Sequence, residues 1–151
     1  MKIRNGFVSN SSSSSFIVIA DGDIHPKKYN RSQLVIDKSF GKTEFGWGPE
    51  VIHNMEAKII FSYLQARYMN KDGWIKMLER VVRRHLGVKK ITWRIDIAYG
   101  NDGEEHAYID HQSSGLENAY NVKMFDSEEK LKQFLFNNDS SINLDNDNKM
   151  E

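Results

Sequence analysis

No cysteine occurs among the 151 residues, which excludes disulfides and every metal centre built on thiolates. A chain of this length without staples is expected to form a single domain around one hydrophobic core, and it is long enough to do so. The absence also fits a reducing cytoplasm. Long apolar runs are missing too: Ile59-Ile60-Phe61 is ended by Ser62, far short of the run that spans a bilayer, so no membrane is expected. Lys2 and Arg4 are not followed by an apolar core and a small-residue site, so the opening does not read as a signal peptide. The histidines (His25, His53, His85, His106 and His111) are scattered, with no two at helical i,i+4 spacing. Asp145 and Asp147 lack the glycine and closing glutamate of a calcium loop. No metal and no cofactor is therefore expected.

Charge is present in balance overall but not along the chain. The 21 basic and 21 acidic residues cancel, yet residues 101–151 hold 12 Asp/Glu against 4 Lys/Arg, leaving a net of +8 in residues 1–100. Such asymmetry signals a basic surface, an acidic tail, or both.

Apolar periodicity supplies the elements. Phe16 to Ala20 reads as a buried strand, Leu34 to Ile36 as a second and Thr43 to Phe45 as a weaker third, with Ser39 to Lys42 as a hairpin connection. Gly48-Pro49-Glu50 reads as a helix start, followed by two apolar stripes over 51–69, the mark of a helix packed on two sides. Asp72 is the expected cap of the next helix, which carries Trp74, Ile75, Leu78, Val81, Val82, His85 and Leu86 at helical spacing and stops at Gly87. From Val88, Ile91, Trp93, Ile95, Ile97 and Tyr99 alternate with polar residues, predicting a long strand with one buried face. Asn101-Asp102-Gly103 predicts a hairpin turn, with 106–110 as the return strand. A last helix capped by Asp126 or Ser127 and a short strand over 141–144 complete the chain. The expected fold is α+β: a largely antiparallel sheet with two or three helices packed on it, in one domain over 1–144, followed by a frayed acidic tail over 145–151.

Four features are candidates for chemistry. Six of the seven residues from Ser9 to Ser15 are serine. The hydroxyls of Ser11, Ser12, Ser13 and Ser14 are candidate anion ligands, although phosphate loops rely on glycine and the nearest is Gly6; the alternatives are a polar lead-in to a strand or a recognition tag. Asp110, His111 and Ser113 have the residue types of a hydrolytic triad, with His111 as acid or base and Asp110 as its orienter. Sequence neighbours on a strand point to opposite faces, however, and no nucleophile elbow surrounds Ser113. Lys76, Arg80, Arg83 and Arg84 form a basic helix face able to meet phosphates, or simply a solvated face that the acidic C-terminal portion folds back to neutralise. Trp47, between two glycines, is the candidate interface anchor.

The opening, from Arg4 through Phe16, reads Arg-x-Gly-Phe-Val-Ser-Asn-Ser-Ser-Ser-Ser-Ser-Phe. It resembles the start of a family of small bacteriophage and Firmicute proteins of no settled activity. Asp110-His111-Gln112-Ser113, Phe134-Leu135-Phe136 and Asn146-Asp147-Asn148 look like later landmarks of the same group. The resemblance implies a phage-encoded accessory protein of the host cytoplasm and supplies no catalytic residue. It also raises the expectation that the first strand, the return strand and the terminal strand are neighbours in one sheet, bringing the serine run to the Asp110 turn. The leading expectation is a protein that binds a macromolecule, most simply another protein, and is not an enzyme. A small enzyme or anion-binding protein and a nucleic-acid binder are the alternatives.

Overall fold

The computed structural model describes residues 15–25, 28–29, 31–46, 48–97, 105–110 and 119–144. Strands β1 (Phe16–Val18), β2 (Gln33–Ile36), β3 (Glu44–Phe45) and β4 (Glu50–Ile52) precede helices α1 (Met55–Tyr68) and α2 (Asp72–Leu86). Strands β5 (Lys90–Trp93), β6 (Ile95–Asp96), β7 (Glu105–His106) and β8 (Tyr108–Ile109) follow. A 3-10 helix (Ala119–Asp126), helix α3 (Glu128–Phe136) and strand β9 (Ser141–Leu144) close the chain. The fold is α+β, with the strands gathered in small sheets around the helices.

The two apolar stripes of α1 have the consequence they predict: every residue from Ala57 to Ala66 is buried. The helix starts later than Pro49, however. Residues 50–52 are a strand instead, because the β-branched pair Val51-Ile52 is taken into a ladder with β9. The helix is then opened by Asn54, whose side chain accepts a hydrogen bond from the backbone N–H of Ala57. Asn54 is exposed, so Asn54→Ala leaves no cavity and is expected to cost about 1 kcal/mol through the cap alone, read by urea denaturation.

Helix α2 buries Leu78, Val81, Val82 and Leu86 and ends as its sequence predicts, with Gly87 in the left-handed region at φ 71°. Asp72 stands in its first turn rather than at the cap, where Lys71 makes no side-chain hydrogen bond; a carboxylate there still favours the positive end of the helix. Aromatic stacks lock the helices to their surroundings: Tyr63 on Trp93 with centroids 4.0 Å apart, and Trp74 on Phe125 at 4.6 Å. At the far end of α1, Arg67 grips Asp96 of β6 through two bonds of 3.0 Å.

The largest sheet is antiparallel, in the order β1-β9-β4. Its register places Phe16, Asn143 and Val51 in one row and Ile17, Ile142 and Ile52 in the next. The other pairs, β2 with β5, β6 with β7 and β3 with β8, are parallel. Neither expected hairpin forms. Strands β2 and β3 pair elsewhere, and 105–106 runs alongside 95–96 in the same direction. The alternation from Ile91 onward fixes which side chains face inward but not the direction of the partner strand. The single strand expected from Val88 is interrupted at Arg94, whose N–H donates to Ile36 O while its carbonyl accepts from Glu105 N, each at 2.8 Å. One partner is exchanged for the next at this residue. Ala107 marks a second exchange: its N–H donates to Asp96 O, and the following N–H, of Tyr108, donates to Thr43 O. The four segments 33–36, 90–96, 105–110 and 44–45 form a staggered parallel ribbon.

Candidate functional site

The basic face of α2 projects away from its buried stripe, as helical geometry requires. Lys76, Arg80, Arg83 and Arg84 are all exposed. Two of them are engaged: Glu128, in the first turn of α3, receives Arg80 at 2.6 Å and Arg84 at 3.2 Å. Hydrogen bonds from these guanidiniums hold the Glu128 carboxyl below its ordinary range. The acidic C-terminal portion thus folds back on the helix, at one residue. Among the described residues Arg83 reaches only the carbonyl of Glu79, and the Glu79 carboxylate accepts from Trp93 Nε1 at 2.8 Å.

The antiparallel sheet presents a second surface. Strand β1 is not a buried strand: Phe16 is 46 % and Val18 40 % exposed, and across the sheet Val51 is 59 % exposed. The three share the outer face with Asn143, which is partly exposed, and with Ser141, which is buried, while Ile17, Ile142 and Ile52 point inward. Sequence reading missed this face. In the run Phe16 to Ile19 every residue is apolar, so no alternation marks which side chains lie outside.

The Asp110 region is the third. Asp110 is partly buried, and its N–H donates to Phe45 O at 2.8 Å. Beside it Gly46 adopts φ 107°, and a β-carbon at this position would collide with the Asp110 side chain. Strand β8 is not a member of the β1-β9-β4 sheet, so only two of the three strands expected to be neighbours are so. The regions are linked nonetheless. β1 begins, β9 ends and β4 begins at the same end of the antiparallel sheet, and Glu50 is four residues from Gly46, a reach of at most about 14 Å. Ser15, which leads into β1, is buried. Ser11, Ser12, Ser13, Ser14, Trp47, His111 and Ser113 lie outside the described residues.

Beneath these surfaces lies a feature with no signal in the sequence. Lys58 is fully buried in α1, and its Nζ donates to the carbonyls of Asn137 and Ser140, each at 3.0 Å. Burial lowers its pKa to about 8 against a weaker opposing pull from Asp139. The Ser140 hydroxyl donates to Gln133 O and accepts from Ala20 N, and the Gln133 amide donates to Gly22 O. This polar joint fastens α1, α3, the exit of β1 and the entry of β9 to one another. An isolated lysine in an apolar stripe looks like an exposed break in that stripe, so only the packing shows where it points.

Among the described residues no helix is long and apolar enough to cross a membrane. Compared with protein-family models, curated proteins and solved structures, the chain matches none.

Proposed function

We propose that this is a binding protein that docks a protein partner on the outer face of the β1-β9-β4 sheet, an accessory protein of the phage-encoded kind that the opening residues resemble. The observation that carries the reading is the set of Phe16, Val18 and Val51, large apolar side chains turned to solvent on one face of one sheet. Scattered exposed apolar residues are ordinary; three on one sheet face, two on one edge strand and one on the other, form a surface that gains by being covered. The partner that fits is an extended segment. It pairs with the edge of β1 through its backbone and sets alternate apolar side chains over Phe16 and Val18. Among the described residues β1 pairs with β9 alone, and an edge strand beside an apolar face otherwise invites aggregation.

A photo-reactive residue placed at Val18 tests this against the same probe at Arg83 on the basic helix. Capture of one dominant protein at Val18 and not at Arg83, lost on Val51→Glu, is the expected result. A cross-link to a second copy of the chain makes the face a self-association surface instead. Equal capture at both positions, or capture indifferent to Val51→Glu, overturns the reading.

A further inference from the structure

We propose that the cleft between α2 and α3 is an oxyanion site that takes a phosphoryl group carried on a small molecule. The cleft, of about 390 Å³, is lined by Lys28, Val81, Arg84, His85, Glu128, Glu129 and Lys132. Its two carboxylates are already engaged. Glu128 is shared by Arg80 and Arg84, and Glu129 accepts from the Gln133 amide at 3.1 Å. Its ammonium groups are not matched in the same way. Among the described residues Lys28 donates only to the backbone carbonyl of Arg84, and Lys132 has no hydrogen bond or ion pair. Counted together, Arg80, Arg84, Lys28 and Lys132 outnumber the carboxylates of Glu128 and Glu129 by two, because the neutral Gln133 amide does not cancel the Glu129 charge, and the cleft is left positive. Such a geometry suits a compact multivalent anion better than a single carboxylate.

His85 lies within the reach of the same two lysines. It sits at the cleft wall, half-buried and stacked on Phe136 with ring centroids 3.8 Å apart. Its pKa is lowered, first by burial and then by the charges of Lys28 and Lys132. Both ammoniums therefore act on the space in front of the imidazole. An oxyanion seated between them cancels their effect, and a protonated His85 then adds a donor to it. Binding and protonation are linked, so occupancy strengthens as pH falls through the His85 midpoint.

The test is an NMR titration of the full chain with inorganic pyrophosphate, with the His85 signal identified by its loss in His85→Gln. The midpoint of His85 is expected to rise by about one pH unit at saturation, the size of effect that an opposite charge in contact produces. The pair Lys28→Met with Lys132→Met should raise the midpoint in the absence of anion and abolish its response to pyrophosphate. Should the pair impair folding, Lys132→Met alone, at an exposed position, is expected to do both in part. No movement of the native midpoint at millimolar pyrophosphate and low ionic strength overturns the proposal. So does a movement that survives in the lysine variants. A short single-stranded oligonucleotide is the second probe: if it perturbs Lys76 and Arg83 while pyrophosphate leaves His85 unmoved, the charge serves the helix face and a nucleic acid, not the cleft.

Discussion

Lys58→Met is expected to leave stability little changed below pH 8 and to cost about 3 kcal/mol more above pH 10, because the native protein gains stability across that interval and the variant does not. The sign follows from the direction of the shift. The ordinary lysine value of 10.5 holds in the unfolded chain, whereas burial lowers it to about 8 in the folded one. Between those values the unfolded state binds the extra proton, so raising the pH favours folding. Below pH 8 both states are protonated and the full cost of a buried ammonium is present, offset by its two bonds to Asn137 and Ser140. Methionine removes that cost and those bonds together, which is why the two nearly cancel there. Above pH 10 the amine is neutral and still donates to both carbonyls; its loss removes one donor from Asn137 O, which keeps the N–H of Ser140, and takes the lysine's bond from Ser140 O. Lys58→Ala is expected to be worse at every pH, since it adds a cavity. Urea denaturation of the native protein and Lys58→Met at both ends of the interval decides the matter; parallel pH profiles would sink the assignment.

Gly46→Ala is expected to cost about 3 kcal/mol, from two separable sources. The first is the backbone. At φ 107° an L side chain is strained whatever space surrounds it. The second is a collision, because the added Cβ would meet the Cβ of Asp110, held in place by its bond to Phe45 O. A double-mutant cycle divides them. In Gly46→Ala with Asp110→Gly the collision is gone and the backbone strain remains, so the pair should recover roughly 1 kcal/mol or more relative to additivity. Strict additivity in denaturation experiments would mean that the two chain segments are not held against each other. The result also bears on function, because Gly46 and Asp110 immediately precede Trp47 and His111 in the chain.

What the sequence made legible, and what it hid, divides along physical lines. Local signals survived intact: the apolar stripe of α2 and its stop at Gly87, the cap at Ser127 that accepts from Lys130 N, and the terminal strand 141–144. Each depends on residues within one turn or one strand. Partner choice was not legible. Nothing within 88–97 indicates that Arg94 leaves one neighbour for another, and nothing in Asn101-Asp102-Gly103 indicates that the strand beyond runs parallel. The late start of α1 has the same cause: Val51 and Ile52 suit a helix pattern until β9 is present to claim them. Of the candidate site residues, the structure places the basic helix face as expected and adds Glu128, which no spacing along α2 could announce. The apolar outer face was hidden for the opposite reason, in that its strand is apolar on both sides.

Strand β9 is the last of the described elements and the middle of its sheet, pairing with the first strand on one side and the fourth on the other. A nascent chain leaving the ribosome therefore carries β1 and β4 as two exposed, unmatched edges until Leu144 has emerged. Such distant pairing slows folding and leaves sticky intermediates for longer. Termination anywhere before residue 141 leaves β1 and β4 without the strand that joins them, so aggregation or capture by chaperones should rise steeply at that boundary and hardly at all at cuts beyond residue 144.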